Sequence, residues 1–380
     1  MITLACVIDQ FGQDYLAQYA TSVLPSQRQA LNAMKHCRTS LGPSMLAQCD
    51  DCGQQRLVPH SCGHRNCPHC QHFESQRWIE RQTRALVPGS YFLITFTLPS
   101  ELRTLVWQHQ RELYAALMDG AWATVNTFSQ NHKQLQGSAG AVAVLHTHSR
   151  RLDFHPHVHL CMPAAALNAD KGLWRTLRKS AKGDGYLFNH KALAKVFLVK
   201  FLLALAELGL PLPADLPKKW VVDCKSVGSG EKALVYLGRY LYRGVIAEKD
   251  ILRCENGLVT YRWRDSKTRK YAQRSVSGVA FLRLVLQHVL PKGFRRARNY
   301  GFLHPNSKRL KVLLQLLVFK PRAQVVAAPA PNDQAVKACP TERPKLLCRC
   351  CGAVMRIVHR RILPVMTPPA RLNPESATSI

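Results

Sequence analysis

The stretch His155-Pro156-His157-Val158-His159 decides how this sequence of 380 residues is interpreted. Successive side chains of a β-strand point to opposite faces, so the three histidines would line one face and Pro156 and Val158 the other. Imidazole nitrogens that converge on one space are typical of a metal site. Because proline cannot donate to a strand ladder, Pro156 predicts either an edge strand or a β-bulge here.

The sequence around this stretch predicts a sheet with helices packed on it. Residues 91–98 are β-branched and aromatic, which is typical of a strand. Residues 141–148 form a second strand pattern, joined to the histidine strand as a β-hairpin by a short polar turn. Further strands are expected at 220–224 and 251–278, and helices at 26–40, 73–86, 101–129, 191–208, 231–243 and 279–320. Since this order lacks the rhythm of a parallel sheet, we expect an α+β fold with an antiparallel sheet.

The composition favours a nucleic-acid partner. The chain carries 53 Lys and Arg against 23 Asp and Glu, a formal net charge of +30, and a polyanion would neutralise that self-repulsion. The most apolar stretch, residues 196–212, is interrupted by Lys200 and Glu207, so it predicts a buried or amphipathic helix and no membrane span. The first 20 residues lack the pattern of a secretory signal. We therefore expect a cytoplasmic protein with reduced or metal-bound cysteines.

Two closely spaced cysteine pairs are the strongest metal signal. Cys49-x2-Cys52 and Cys67-x2-Cys70 have the spacing of a structural tetrathiolate Zn²⁺ site. Cys62 and three histidines lie in the same loop, and Cys62 can replace one of the four cysteines. The identity of one zinc ligand is therefore not determined by the spacing. A closed site with four protein ligands has no open position, which indicates a role in fold stability and DNA contact.

A third pair, Cys348-x2-Cys351, lies near the end of the sequence. Only Cys339 is an obvious further ligand, so this pair is weak evidence for a zinc site. We expect equally that these cysteines are unligated thiols in a flexible tail. Residues 321–344 are rich in Ala, Pro and polar residues, which predicts a linker.

Two tyrosines four residues apart mark the helix predicted at 231–243. Tyr236 and Tyr240 lie on one helix face, and Arg239 and Arg243 form a neighbouring pair suited to phosphate. The alternative is that both aromatic rings simply pack a core. Gly238 inside the helix costs about 1 kcal/mol relative to Ala, which is easier to understand if something approaches closely there.

The order of these motifs resembles the two-tyrosine rolling-circle transposases of bacterial insertion sequences, a branch of the HUH (His-hydrophobic-His) nucleases. The resemblance covers roughly residues 30–320, and chance similarity over so many ordered landmarks is not expected. The landmarks are Cys37-Arg38-Thr39 with Leu41-Gly42, Ser61-Cys62 to Cys67-Pro68-x-Cys70-Gln71, Phe96-Thr97-Leu98-Pro99, Val144-Leu145-His146-Thr147, the histidine stretch, Tyr236-Leu237-Gly238-Arg239-Tyr240 and Phe294-Arg295-Arg296-x-Arg298-x-Tyr300-Gly301.

The resemblance implies roles for these residues. His157 and His159 would be ligands of a catalytic Mg²⁺ or Mn²⁺, and Tyr236 and Tyr240 the nucleophiles. The motif does not fix the third ligand; His146 is favoured because the hairpin places it on the neighbouring strand, with Glu231 and His155 as alternatives. The position two residues after the second tyrosine is often His in this family and is Tyr242 here, which puts full activity in question.

The resulting expectation is an enzyme that cleaves and rejoins single-stranded DNA through a 5′-phosphotyrosine. It would have a zinc-binding domain at 1–88, an HUH-nuclease-like catalytic domain at 89–320 and a flexible basic tail at 321–380, and would be nucleoid-associated. A non-catalytic zinc-dependent DNA-binding protein and an inactive transposase copy are the alternatives, whereas a zinc deaminase would need a His-x-Glu motif that is absent from HPHVH. The arginines expected to bind DNA phosphates are Arg239, Arg243, Arg295, Arg296 and Arg298.

Overall fold

A computed structural model describes residues 2–39, 41–177, 187–242, 244–265, 268–318 and 345–363. The helices are α1 (Leu4–Gln18), α2 (Pro25–Lys35), α3 (His72–Arg84), α4 (Arg103–Gln108), α5 (Gln110–Asn131), α6 (His190–Glu207), α7 (Glu231–Leu241), α8 (Gly278–Leu286) and α9 (Lys308–Val318). The strands are β1 (Ser44–Cys49), β2 (Gln55–Pro59), β3 (Tyr91–Thr97), β4 (Gly140–His148), β5 (Phe154–Pro163), β6 (Ala165–Asn168), β7 (Leu173–Thr176), β8 (Val221–Ser226), β9 (Ile251–Glu255), β10 (Leu258–Arg264), β11 (Tyr271–Ser277), β12 (Ala297–Gly301) and β13 (Met355–Ile362). In this part of the chain, no helix has the length and apolar character needed to cross a bilayer.

The central element is a five-stranded sheet in the order β12-β4-β5-β3-β8, with every neighbouring pair antiparallel. Helices α5 and α6 cover one face, where Phe96 of β3 packs on Phe197 of α6 with ring centroids 4.8 Å apart. Helices α3 and α7 pack together over the other face, where Val142 and Val144 share a core with α7. The predicted α+β class, with helices flanking an antiparallel sheet, is confirmed.

Strand β5 has the side-chain alternation predicted from the histidine stretch. Pro156 and Val158 are buried, and Val158 lies in the core with α5 and α6, whereas His157 and His159 are only partly covered on the opposite face. The strand is central in the sheet, which excludes the edge-strand alternative. Pro156 lies instead where the register between β4 and β5 shifts, after His146, so the proline coincides with the other predicted possibility, a bulge.

A second core joins the amino-terminal helices to the carboxy-terminal half of the predicted catalytic domain. Helix α1 packs on α2 and α8. Val7 and Ile8 of α1 and Phe281 and Leu282 of α8 are buried in this cluster, which also contains Tyr261 of β10. Residues before position 40 therefore depend for their burial on residues after position 245.

A three-stranded sheet in the order β13-β1-β2 connects the two ends of the chain. Cys49 of β1 pairs with Met355 of β13, and all strand pairs in the sheet are antiparallel. This corrects the expectation of a flexible tail for residues 345–363. The predicted linker at 321–344 and Cys339 lie outside the described residues.

Two predicted helices are interrupted. The expected helix at 101–129 is α4 followed by α5, with a break at His109, whose φ of −121° and ψ of 50° are not helical. The expected helix at 279–320 is α8, then β12, then α9. Pro291 and the positive φ of Gly293 (78°) separate α8 from β12.

Candidate functional site

Three histidines from β4 and β5 converge on the face of the central sheet that lies under α7. His146 of β4 is the cross-strand partner of His157, and His159 follows two residues later on the same face. One ring nitrogen from each of the three lies within 4.8 Å of those of the others. The structure therefore brings together the three residues predicted as the catalytic metal site.

The hydrogen bonds of these imidazoles suit a metal site. The His157 Nδ1–H donates to the His155 carbonyl at 2.7 Å, and His159 Nδ1 lies 2.8 Å from the Thr95 hydroxyl on β3, so in each ring the Nε2 atom is the free ligand atom. The buried His146 Nε2 has no hydrogen-bond partner in the described part of the chain. An unpaired buried nitrogen beside two oriented imidazoles fits a bound divalent cation.

Burial keeps these three histidines neutral. Desolvation lowers the pKa of His157 to about 4 and the pKa of His159 to about 3, with neighbouring histidines adding to both shifts. The same causes hold the pKa of His146 well below its usual value. At neutral pH, all three imidazoles therefore have a lone pair available for a metal.

The two alternative ligands are not among the three convergent side chains, although the His155 ring centroid lies 5.1 Å from that of His157. His155 Nδ1 faces the Arg103 guanidinium at 3.3 Å, and the charge of Arg103 joins burial in lowering the pKa of His155. Glu231 is exposed at the first turn of α7 and lines the neighbouring cleft. Neither belongs to the histidine group.

Helix α7 brings both predicted nucleophiles to the histidines, in two different environments. Tyr236 is 51% exposed, and its ring centroid lies 6.0 Å from that of His146 and 6.1 Å from that of His159. The Tyr240 ring stacks on the rings of His146 and His148, with centroid distances of 3.3 Å and 4.9 Å. The Tyr240 hydroxyl accepts a hydrogen bond from the Thr147 amide at 3.3 Å.

Burial raises the pKa of both phenols. For Tyr236, the charge of Arg150 partly offsets the desolvation; for Tyr240, the charge of Arg296 does so, with its guanidinium 4.5 Å from the ring centroid. Both phenols are therefore protonated at neutral pH, and reaction requires that the proton be lost as the oxygen attacks.

Close packing on α3 fixes the position of α7. A Cβ atom at Gly238 would overlap the Ile79 side chain and lie 2.9 Å from Cε3 of Trp78. The glycine therefore permits the close approach expected from the sequence, and the approaching element is α3. The Ser75 hydroxyl donates to the Gly238 carbonyl at 3.0 Å. This contact sets the depth at which the two tyrosines lie over the sheet.

A cleft of about 970 Å³ opens beside the tyrosines, between α7 and β10. Its wall combines cationic and aromatic side chains, which is the composition of a surface for single-stranded nucleic acid. They include Arg150, Lys232, Arg239, Lys249, Arg262, Arg264, Tyr236, Trp263 and Tyr271.

The five predicted DNA-binding arginines have different environments. Arg239 is exposed on this cleft, and Arg295 is exposed on the cleft that Tyr242 lines. Arg296 is buried and donates from Nε to the Leu145 carbonyl at 3.1 Å, and Arg298 forms an ion pair with Asp119 at 3.0 Å. These two therefore already have protein partners in the structure. Arg243 lies outside the described residues.

Tyr242, where the resemblance implies a His, is not among the residues that line the cleft beside the two predicted nucleophiles. It follows the last residue of α7 and lines a different cleft, together with Arg65 and Arg81.

The cysteines form two groups, which corrects the single site expected from the sequence. Cys67 and Cys70 join Cys37 and Cys62, whereas Cys49 and Cys52 join the carboxy-terminal pair Cys348 and Cys351. The alternative ligand Cys62 thus belongs to the first group.

Cys37 was missed as a ligand because its spacing fits the apolar face of the helix predicted at 26–40. Helix α2 ends at Lys35, and the Cys37 thiol turns toward Cys70, with the two Sγ atoms 3.6 Å apart. The feature of the sequence that could have identified Cys37 as a ligand was its position in the first family landmark, Cys37-Arg38-Thr39.

Two family profiles match the chain. One, described as "Transposase zinc-binding domain", matches residues 7–98, and the other, described as "Putative transposase", matches residues 140–311. The first contains the Cys37 group and the second contains the histidines and both tyrosines. Both matches therefore point to a transposase.

Two curated proteins narrow this class to a family. "Putative transposase y4qJ" of Sinorhizobium fredii is 31% identical over 323 residues, covering 79% of this chain and 80% of that protein. The "Transposase for insertion sequence element IS801" of Pseudomonas savastanoi pv. phaseolicola is 29% identical over 299 residues, covering 72% and 70%. No solved structure matches the chain. The chain belongs to the IS91/IS801 family of transposases.

Proposed function

We propose that this protein cleaves and rejoins single-stranded DNA at the ends of an insertion sequence through a 5′-phosphotyrosine intermediate. The observation that carries the proposal is the position of Tyr236 and Tyr240 beside three neutral, convergent histidines at the edge of a basic cleft. Membership of the transposase family supports the action on DNA.

The histidines would hold a divalent cation, Mg²⁺ or Mn²⁺, which when bound supplies charge neutralisation at the scissile phosphate. The tyrosine oxygen attacks phosphorus, a bond from that oxygen to phosphorus forms, and the bond from phosphorus to the 3′ oxygen breaks. The phenol loses one proton and the departing 3′ oxygen gains one. Since one phosphodiester replaces another, rejoining needs no nucleotide cofactor.

The different environments of the two tyrosines support an order of action. Tyr236 is half exposed on the cleft, so a strand can reach it without rearrangement of the protein. The Tyr240 ring stacks on His146 and His148 and contacts the Arg296 guanidinium, and its hydroxyl accepts a hydrogen bond from the Thr147 amide. We therefore assign the first cleavage to Tyr236 and a later one to Tyr240.

The direct test incubates the full-length protein with Mn²⁺ and a labelled single-stranded oligonucleotide that contains an end of the element. A covalent adduct should survive denaturation and disappear in Tyr236→Phe/Tyr240→Phe. Tyr236→Phe alone should reduce the rate of first cleavage at least about tenfold, and Tyr240→Phe should leave it near the wild-type rate. Tyr242→Phe is the matched control, because this tyrosine lines another cleft.

Two outcomes would contradict the proposal. An adduct in the double variant would remove both tyrosines as nucleophiles. Sequence-specific binding without any adduct, from wild-type protein loaded with Mn²⁺, would instead indicate a zinc-dependent DNA-binding protein or an inactive copy.

A further inference from the structure

We propose that Cys49, Cys52, Cys348 and Cys351 bind a second structural Zn²⁺ ion that joins the two ends of the chain. We call the resulting unit the terminal ribbon, made of residues 44–59 and 345–363. Two of its ligands lie far beyond both the zinc-binding match at 7–98 and the transposase match at 140–311.

The four sulfur atoms have the spacing of a tetrathiolate site. Cys49 Sγ lies 3.5 Å from Cys351 Sγ, and Cys52 Sγ lies 3.6 Å from the Sγ atoms of Cys348 and Cys351. A tetrahedral ion with Zn–S bonds of about 2.3 Å requires sulfur atoms about 3.8 Å apart, whereas a disulfide requires about 2.05 Å. The spacing therefore fits a shared ion and excludes disulfides between these pairs.

The backbone of the two cysteine pairs is the same, which is an independent observation. The Cys49 amide donates to the Gln54 carbonyl at 2.9 Å, and the Gly53 amide donates to the Cys49 carbonyl at 3.0 Å. Each cysteine pair is followed by a glycine with positive φ, 72° for Gly53 and 77° for Gly352. The sequences Cys-Asp-Asp-Cys-Gly and Cys-Arg-Cys-Cys-Gly thus form equivalent knuckles.

The carboxy-terminal knuckle repeats both hydrogen bonds. The Cys348 amide donates to the Ala353 carbonyl at 2.8 Å, and the Gly352 amide donates to the Cys348 carbonyl at 3.1 Å. Two knuckles that face each other across antiparallel strands, each offering two thiols, make a complete ligand set for one ion.

The terminal ribbon has too little apolar core to hold itself together. Its buried hydrophobic cluster consists of Ala47, Cys49, Cys348 and Met355, so half of its members are the ligands themselves. Cores this small are ordinarily stabilised by metals or disulfides, and the four cysteines are free thiols. The ion would add a cross-link to the antiparallel pairing of β13 with β1.

The site is separate from the Cys37 group. Cys37, Cys62, Cys67 and Cys70 already supply four ligands for one ion and share none with the terminal ribbon. The full chain should therefore bind one more Zn²⁺ equivalent than its amino-terminal cysteine cluster alone accounts for.

The first test measures zinc per chain by mass spectrometry of full-length protein purified without chelator. Cys348→Ser/Cys351→Ser should hold one equivalent less than the wild type. Cys350→Ser, which changes the exposed cysteine between the two ligands, should hold the wild-type amount. Equal zinc content in the wild type and the double variant would overturn the proposal.

The second test needs no variant and therefore does not depend on folding of the mutants. Cys350 and Cys351 are adjacent and both exposed, so accessibility alone predicts equal alkylation by iodoacetamide. Zinc binding predicts that Cys350 reacts in the native protein and that Cys351 reacts only after a chelator removes the ion. Equal alkylation rates at the two positions before chelation would contradict the site.

Discussion

Three imidazoles form a ligand set that differs from the oxygen ligands usual for Mg²⁺. Nitrogen ligands favour Mn²⁺ and other transition metals, whereas Mg²⁺ is usually bound by carboxylates, phosphates and water. The described histidine group contains no carboxylate, since Glu231 lies apart from it. We therefore expect Mn²⁺ to support cleavage at a lower concentration than Mg²⁺.

His146 provides the test of this ligand set. His146→Ala removes the nitrogen that lacks a protein partner, so the Mn²⁺ concentration for half-maximal cleavage should rise at least about tenfold. His155→Ala is the matched comparison, because the His155 ring neighbours His157 but its Nδ1 faces Arg103 and it is not one of the three convergent imidazoles; it should change this concentration less than about threefold. Equal effects of the two changes would exclude His146 as a ligand.

His148 gives a prediction for the pH dependence of stability. Burial lowers the pKa of His148 to about 4, below the value of about 6.5 in an unfolded chain. Its contribution to stability is complete above about pH 6.5 and is lost as the pH falls toward 4, because only the unfolded state binds the proton in that range. His148→Gln should reduce the loss of unfolding free energy between pH 7 and pH 5 by roughly 1–2 kcal/mol.

Urea unfolding at the two pH values measures this difference. His359→Gln on β13 serves as the matched control, because that histidine is exposed and its replacement removes no buried imidazole. A His148→Gln variant with the full pH dependence of the wild type would show that His148 takes up its proton as readily in the folded state as in the unfolded state.

Residues within one short motif were predictable, and residues joined only by tertiary contact were not. His157, His159, Tyr236 and Tyr240 follow from strand and helix periodicity together with the resemblance. The pairing of Cys49 with Cys348 crosses nearly the whole chain, and sequence spacing carries no information about which distant cysteine pair meets which. Spacing therefore favoured the nearer pair, Cys67 and Cys70.

At the scale of elements, Gly238 holds α7 against α3. Alanine is the better helix former by about 1 kcal/mol, but its Cβ would meet the branched Ile79 side chain and the buried Trp78 ring. Overpacking of this kind costs about 1–3 kcal/mol, and less the propensity gain Gly238→Ala should destabilise the protein by up to about 2 kcal/mol. The displaced helix should also slow adduct formation.

Unfolding and cleavage rates together check this prediction. Lys232→Ala, an exposed change on the same helix, should alter the unfolding free energy by less than about 0.5 kcal/mol. A Gly238→Ala protein that is more stable than the wild type would show that propensity outweighs packing at this contact.

Strand β12 shows why some elements could not be predicted. Its sequence, Ala-Arg-Asn-Tyr-Gly, has no apolar alternation, and each of its residues is only partly buried. The strand is fixed by its pairing with β4, for example Ala297 with Val144. By contrast, β3 carries its own pattern of buried residues, and the strand predicted at 91–98 is found at Tyr91–Thr97.

At the scale of the whole molecule, the charge of +30 should make DNA binding strongly dependent on salt. Binding of single-stranded DNA releases condensed counterions, so the logarithm of affinity falls linearly with the logarithm of salt concentration, by about 0.7 for each phosphate contacted. If the cleft beside Tyr236 holds the strand, Arg239→Gln should reduce this slope by about 0.7.

Lys35→Gln separates contact in the cleft from general electrostatic attraction. It removes the same charge, but Lys35 is engaged with Asp9 at 2.8 Å on the amino-terminal helices. Fluorescence anisotropy with a short oligonucleotide across a range of KCl concentrations measures both slopes. If net charge alone governed binding, both variants would change the salt dependence of affinity equally and only slightly. A smaller salt dependence in Arg239→Gln but not in Lys35→Gln would place the DNA strand in the cleft. Equal salt dependence in the two variants would exclude that location.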